Sequence, residues 1–207
     1  YATSISNIGY IYNERGSLTK AIENFHKCLG IFEKLKDESC FGVTYVNIGL
    51  AYSQQEEYAI ALDYYNKGLK IFERINDKEN LANAINNIAS VYYNEKDYDK
   101  AKEILEKGLK IKQEIKDSVG ICLFINNLGF VFFVQDKFEK ALEYFHTSLG
   151  IAERRRQKDD IALSLNNIAQ VYRKQKKYDK ALIYSLKAME LSKELGYPEK
   201  IRNAAKT

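Results

Sequence analysis

The hexapeptide Asn47-Ile48-Gly49-Leu50-Ala51-Tyr52 indicates the fold, because its pattern recurs along the whole chain. In general form it reads Asn-[Ile/Leu]-[Gly/Ala]-x-[Val/Ala/Ile]-[Tyr/Phe], and successive copies begin 40 residues apart. The copies begin at Asn7, Asn47, Asn87, Asn127 and Asn167. Self-similarity at a period of about 20–50 residues is typical of stacked repeat arrays. The sequence therefore predicts a solenoid.

Each copy is followed at a fixed distance by an alanine and then by a large side chain. The alanines are Ala21, Ala61, Ala101, Ala141 and Ala181, and the residues four positions later are Phe25, Tyr65, Leu105, Phe145 and Ser185. Apolar residues recur at i, i+3, i+4 and i+7 on both sides of a short polar break, which predicts two amphipathic helices per repeat. A glycine inside a helix costs roughly 1 kcal/mol relative to alanine, so Gly49 and its equivalents indicate close helix approach. Asp37, Asp77 and Asp117 are predicted N-terminal helix caps.

The order L-G-x2-Y followed by A-x3-F resembles the helix-turn-helix signature of the tetratricopeptide repeat family over the entire chain. The period of the family is about 34 residues, so the extra residues are expected in longer helices or a longer connector. The family's closing proline is absent, with Glu33, Glu73, Gln113 and Glu153 in its place. The resemblance implies an all-α, right-handed superhelical solenoid of antiparallel helix pairs. We expect one domain, 1–207, with repeats 1–40, 41–80, 81–120, 121–160 and 161–200 and a truncated sixth unit at 201–207.

Composition narrows the class of protein. Hydrophobic residues make up 45% of the chain and charged residues 29%, with one proline, as expected of a folded helical protein. The net charge of +4 is modest and its signs are interleaved, so a nucleic-acid partner is not expected. No apolar run is long enough for a membrane span, so direct membrane insertion of this segment is not expected either. Because the chain begins in phase without a methionine, we expect it to be part of a longer protein. Its compartment stays open: cytoplasmic, or periplasmic if it is a sensor-kinase input region.

The sequence offers no chemistry that points to an enzyme. Cys28, Cys40 and Cys122 lack metal-binding spacing, although pairing of Cys28 with Cys40 stays open. There is no Gly-rich phosphate loop, no H-E-x-x-H motif, and no acid–base pair set apart from the repeat pattern. We therefore expect no catalytic residue, no metal and no cofactor.

The resemblance implies that the first helices of the repeats line a concave groove that holds an extended peptide. An asparagine amide both donates and accepts, which suits bonding to a peptide backbone irrespective of its side chains. The candidate asparagines of this ladder are Asn7, Asn47, Asn86, Asn87, Asn126, Asn127, Asn166 and Asn167. In the alternative interpretation each asparagine bonds to a neighbouring helix and only orients the packing.

The other groove positions differ between repeats, as residues that set specificity would. These candidates are Tyr10, Leu50, Tyr93, Phe130, Phe133, Arg173 and Lys174. They run from neutral and aromatic in the first four repeats to basic in the last. Phe130 and Phe133 lie one turn apart on the face that is expected to be open, and an exposed aromatic pair often marks a partner site.

Two functions remain open from the sequence. The first is a protein- or peptide-binding module that forms the sensor or scaffold part of a larger bacterial signalling protein. The K-x-x-D connectors and the segment 194–207 resemble the repeat regions of Bacteroidetes-type two-component sensor histidine kinases and related regulators. The second is a structural module that stacks or dimerises through uncapped ends as a homo-oligomer, with its groove filled by its own segment.

Overall fold

A computed structural model describes residues 2–196, and within this range the chain forms ten α-helices and no strand. The helices are α1 (Ala2–Glu14), α2 (Leu18–Leu35), α3 (Glu38–Gln54), α4 (Tyr58–Arg74), α5 (Lys78–Asn94), α6 (Tyr98–Glu114), α7 (Ser118–Val134), α8 (Phe138–Arg155), α9 (Lys158–Lys174) and α10 (Tyr178–Glu194). Each odd-numbered helix packs against the even-numbered helix that follows it. The predicted all-α array of five helix pairs is confirmed. The sixth unit and the helix expected from Pro198 lie outside the described residues.

The turns repeat every 20 residues. Each contains one residue with left-handed backbone geometry: Gly16, Lys36, Glu56, Asn76, Lys96, Lys116, Asp136, Arg156, Lys176 and Gly196. In the turn after α2, the N–H of Asp37 donates to the carbonyl of Phe32 at 3.1 Å, and Asp77 repeats this bond to Phe72 at 2.9 Å. A left-handed residue with such a bond forms a Schellman motif, which ends a helix within a few residues. The connectors are therefore short, and the extra length of the repeat lies in the helices.

Aspartates cap the first helices of repeats 2, 3 and 4, as predicted. The carboxylate of Asp37 accepts from Cys40 N at 3.0 Å, that of Asp77 from Asn80 N at 3.0 Å, and that of Asp117 from Gly120 N at 3.0 Å. Asp97 caps α6 in the same way, with Lys100 N at 3.1 Å, and was not predicted. Four of these helices thus begin with a satisfied N–H at their third position.

Asp77 has the most complete set of partners among these caps. The side-chain amide of Asn80 also donates to it at 2.8 Å, and the Ser39 hydroxyl of the preceding first helix at 3.4 Å. Burial raises the pKa of the Asp77 carboxyl, but these hydrogen bonds outweigh burial and hold the pKa below its ordinary value. Asp77 therefore links the start of α5 to α3 in its charged form.

Contacts divide the chain into two compact units, 1–115 and 116–207. In the first unit, α1 to α6 pack in chain order. In the second, α7 to α10 do the same. The expectation of one continuous domain stays a prediction.

Close approach within a helix pair depends on matching a small residue with a large one. A Cβ atom added to Gly9, Gly49 or Gly129 would lie 2.7, 2.7 or 2.6 Å from a ring carbon of the aromatic side chain opposite. Those aromatic residues are Phe25, Tyr65 and Phe145. In repeats 3 and 5 the first helix has Ala89 or Ala169, and the second helix has the smaller Leu105 or Ser185. The two positions therefore vary together in size, and they keep the two helices in close contact.

Candidate functional site

Each unit has a candidate site, called here its first-helix face. It is defined by the predicted ladder and groove residues on α1, α3 and α5 in the first unit and on α7 and α9 in the second. In the first unit α1 contacts α3, and α3 contacts α5. In the second unit a hydrogen bond from Asn167 to Asn126 joins α9 to α7. Within each unit, the predicted residues therefore lie on neighbouring helices.

The ladder asparagines of the first unit reach the surface. Asn7 is exposed, and Asn47, Asn86 and Asn87 are half-buried. The side chains of Asn47 and Asn87 make no hydrogen bond to any other residue within 2–196. Each keeps an amide donor and a carbonyl acceptor for an external partner.

Two ladder asparagines of the second unit are turned into the protein. Asn126 is 4% exposed and Asn167 only 1%, whereas Asn127 and Asn166 are half-buried. Asn167 Nδ2 donates to Asn126 Oδ1 at 3.2 Å, and Asn126 Nδ2 donates to Ser148 Oγ at 2.8 Å. In repeats 4 and 5 these two side chains therefore hold neighbouring helices together, as in the alternative interpretation of the ladder.

Ser148 lies at the centre of a buried polar network that the sequence did not reveal. Its hydroxyl accepts from Asn126 and from Ser164 Oγ at 3.2 Å, and lies 3.0 Å from Cys122 Sγ. The thiol of Cys122 points to the Ser148 carbonyl at 3.7 Å. Burial raises the pKa of Cys122, which keeps this thiol protonated. The one signal available was that Asn126, Ser148 and Ser164 stand where repeats 2 and 3 have Val46, Gly68 and Ala84.

The predicted specificity residues differ in their exposure. Tyr10 is 53% exposed, and Arg173 and Lys174 are also exposed. Leu50 and Tyr93 are half-buried, and Tyr93 packs edge-on against Tyr98 with ring centroids 5.6 Å apart. Burial raises the pKa of Tyr93, so its hydroxyl is a neutral group at physiological pH.

Phe130 and Phe133 are half-buried, with one side of each ring held by the protein. Phe130 meets Phe145 edge-on at 5.3 Å, and Phe133 lies tilted against Phe138 at 6.3 Å. Packing fixes the orientation of both rings and leaves part of their surface in contact with solvent. The two rings are therefore less exposed to solvent than the open pair that was predicted, but their orientation is fixed before a partner binds.

Three exposed apolar residues of the first-helix face were missed. Val119 is 56% exposed, Leu123 46% and Leu163 45%. Val119 and Leu123 are one turn apart on α7, and Leu163 occupies on α9 the place of Leu123 in the next repeat. The signal was present in the sequence, because the segment of α7 contains no charged residue. No helix within residues 2–196 combines the length and hydropathy that crossing a membrane requires.

Asn13, on the first helix of repeat 1, has a buried amide without a hydrogen-bond partner among the described residues. In repeat 2 the equivalent Ser53 hydrogen-bonds to the hydroxyl of Tyr65, and burial, partly offset by this bond, raises the pKa of Tyr65 to about 12. Repeat 1 has Phe25 in place of Tyr65, which offers no hydroxyl. The amide of Asn13 is 3% exposed and neither of its polar atoms has a partner within the described residues.

Comparison with known proteins supports the fold assignment. Residues 1–74, 40–114 and 121–194 match the tetratricopeptide repeat family. No curated protein sequence matches the chain.

Three solved structures show the same fold. A Pyrococcus horikoshii signal transduction ATPase with numerous domains, which has a tetratricopeptide repeat sensor, is 24% identical with a TM-score of 0.85, covering 98% of this chain and 31% of its own. A Rap protein complexed with competence and sporulation factor is 16% identical with a TM-score of 0.82, covering 97% and 56%. Aspartyl phosphate phosphatase F from Bacillus subtilis is 24% identical with a TM-score of 0.64, covering 92% and 48%. The chain thus spans between about a third and just over half of these proteins. With the family match over most of its length, the chain belongs to the tetratricopeptide repeat family.

Proposed function

We propose that this chain is a non-enzymatic protein-interaction module that holds an extended peptide on its first-helix face. The observation that carries the proposal is the pair Asn47 and Asn87. They occupy equivalent places on the contacting helices α3 and α5, and neither amide is used within the described structure. Packed helices lie about 8–10 Å apart, which an extended peptide covers in about three residues. One peptide can therefore meet both amides.

The same proposal covers the context of the chain, which is the sensor or scaffold part of a larger bacterial signalling protein. Two structural neighbours support it by their names: one is a signal transduction ATPase with a tetratricopeptide repeat sensor, and another is a Rap protein in complex with competence and sporulation factor. A third neighbour is named as a phosphatase. We propose binding without catalysis for this chain because its sequence has no acid–base set outside the repeat pattern.

The test begins with selection of phage-displayed random dodecapeptides on the immobilised chain. The best selected peptide is then titrated by calorimetry against the parent and against the Asn47→Ala/Asn87→Ala variant. Each lost hydrogen bond is worth about 0.5–1.5 kcal/mol, so the double variant is expected to bind about five- to a hundredfold more weakly. Its circular dichroism spectrum should match the parent, because neither side chain bonds to another described residue.

Asn66→Ala is the matched control, since Asn66 is an exposed asparagine on the second helix α4. It should bind like the parent. If no peptide is selected, or if the double variant binds as tightly as the parent, the proposed function is wrong.

A further inference from the structure

Helix α7 presents an apolar column on the first-helix face that no other described helix matches. Val119, Leu123, Phe130 and Phe133 follow one stripe of this helix, at i, i+4, i+11 and i+14. The equivalent places on α5 hold the more polar set Glu79, Asn83, Ser90 and Tyr93. Within residues 2–196, α7 is the one helix with no charged side chain. A helix that is apolar all round buries its whole circumference, yet Val119 and Leu123 are about half exposed.

Leu163 of α9 extends this column onto the next first helix. The Asn167–Asn126 hydrogen bond fixes the register of α9 on α7. Leu123 lies one turn before Asn126, and Leu163 lies one turn before Asn167, so both leucines flank the bond on the same side. The rings of Phe130 and Phe133 lie on the other side of the bond, and each packs against an aromatic ring of α8. The result is an ordered apolar surface in the second unit.

A row of cations borders this surface at the end of α9. Lys174, Lys176 and Lys177 are all exposed, next to Arg173, in the segment that ends α9 and leads to α10. The equivalent segment of repeat 2 reads Ser53-Gln54-Gln55-Glu56-Glu57 and has no cation. Asp159 stands at the opposite end of the same α9 stripe. This stripe of α9 therefore has an acidic side chain at its start and basic side chains at its end.

We propose that the second unit binds a peptide segment with apolar or aromatic anchor side chains and an acidic residue beside them. The apolar anchors lie on Val119, Leu123 and Leu163 and against the rings of Phe130 and Phe133. The acidic residue follows the anchor at the rings and faces Lys174 and Lys177. This inference rests on the proposed function, because it names the ligand chemistry of the first-helix face in the second unit. Complementary charge at the end of α9 also orients the segment along the helix.

The size and charge of the surface favour a peptide over a second copy of the chain. The exposed apolar side chains offer a few hundred Å², the size of a functional patch on a monomer. A standard interface between two proteins buries about 800 Å² on each partner. Two copies that met at this surface with their α9 helices parallel would also bring the lysine rows together, which like-charge repulsion opposes.

The experiment uses the same phage-displayed random dodecapeptides, with the selected sequences read for composition. Enriched peptides should share apolar or aromatic residues with an adjacent Asp or Glu. Leu123→Asp should weaken the best peptide at least about tenfold, as loss of an anchor in an interface does. Leu186→Asp is the matched control, because Leu186 is 49% exposed on the second helix α10, and it should bind like the parent.

Two further variants keep the test decisive. Lys174→Glu/Lys177→Glu should weaken the acidic peptides about three- to tenfold, with the difference shrinking as salt is added. Leu163→Asp replaces Leu123→Asp if circular dichroism shows that the latter does not fold. The inference fails if the selected peptides are polar or basic, or if the aspartate variant binds as tightly as the parent. If such peptides still depend on Asn47 and Asn87, the proposed function survives alone; if no peptide is selected, both fail.

Discussion

Repeats 2 and 4 close the same helix–helix contact by opposite means. In repeat 2, α3 and α4 meet through Gly42 and Gly68, and a Cβ atom on Gly68 would lie 3.0 Å from the Gly42 carbonyl oxygen and 2.8 Å from Val46. In repeat 4 the equivalent residues are Cys122 and Ser148, whose side chains form a hydrogen bond with each other. The contact in repeat 2 depends on glycines that let the two backbones approach closely, and the contact in repeat 4 depends on a buried polar network.

The difference determines what the neighbouring asparagine does. Val46 offers no hydrogen bond, so Asn87 of the next repeat keeps its amide for an external partner. Asn126 occupies in repeat 4 the position that Val46 has in repeat 2. It accepts a hydrogen bond from Asn167, which keeps the Asn167 side chain buried. Asn87 and Asn167 stand at the same position of their repeats, yet the residue at the Val46 or Asn126 position one repeat earlier decides whether the asparagine is available to bind.

The glycine contact of repeat 2 can be broken most strongly by Gly68→Ala. The added methyl group meets backbone that cannot rotate away, so we expect a loss of about 2–3 kcal/mol in the free energy of unfolding. Gly30→Ala is the control, because Gly30 is also helical but has open space around its Cβ position. It should gain up to about 1 kcal/mol. Urea unfolding of the two variants measures both, and equal effects would show that α3 and α4 are not in close contact.

The polar network of repeat 4 is tested by Ser148→Ala. Without the hydroxyl, the buried amide of Asn126 loses its acceptor, which should cost about 1–2 kcal/mol. Ser192→Ala removes a similarly buried hydroxyl, which among the described residues bonds to the Ala188 carbonyl of its own helix, so it should cost less. Thermal unfolding of the two variants compares them. A Ser148→Ala protein as stable as the parent would mean that the network contributes nothing.

The link that Asp77 makes between α3 and α5 gives a smaller effect that depends on pH. Asp77→Ala removes the cap of α5 and should cost about 1 kcal/mol at neutral pH. Because the folded-state pKa of Asp77 is lowered, this stability is present above the unfolded-state pKa of about 3.9 and disappears as pH falls through the folded-state value. Unfolding of parent and variant at neutral pH and below about pH 4 gives the difference at each pH.

Gln157→Ala is the control for this titration, since Gln157 stands before α9 and makes no side-chain cap bond. Its effect should be small and independent of pH. A penalty for Asp77→Ala that persists unchanged in acid would show that the charged carboxylate is not the stabilising form.

The fold was predictable because it depends on a period that the sequence displays directly. The positions of Gly49, Ala61 and Tyr65 recur at fixed spacing, and the sizes of the side chains there indicate which helix surfaces pack together. The left-handed residues could not be predicted in the same way. Lys36 and Glu56 have no local preference for that geometry, and only the repetition of the turn imposes it.

The site was less predictable, because burial of a side chain depends on residues far apart in sequence. Asn126 and Asn167 match the ladder pattern, but their fate is set by Ser148, which lies on another helix. Leu123 and Leu163 fell outside the positions considered for the groove, although the uncharged segment of α7 was visible. Pattern alone locates a face; it does not state which of its side chains remain open.

The most direct test of the ladder is an NMR titration of the asparagine side-chain amides with a selected peptide. We expect the Asn47 and Asn87 amides to exchange rapidly with solvent in the free chain, and then to shift and become protected as peptide is added. Asn126 and Asn167 should be protected from the start and should not shift. The ladder hypothesis is wrong if the Asn47 and Asn87 amides stay unchanged at saturation. It is also wrong if the Asn126 and Asn167 amides exchange as fast as that of Asn87 in the free chain.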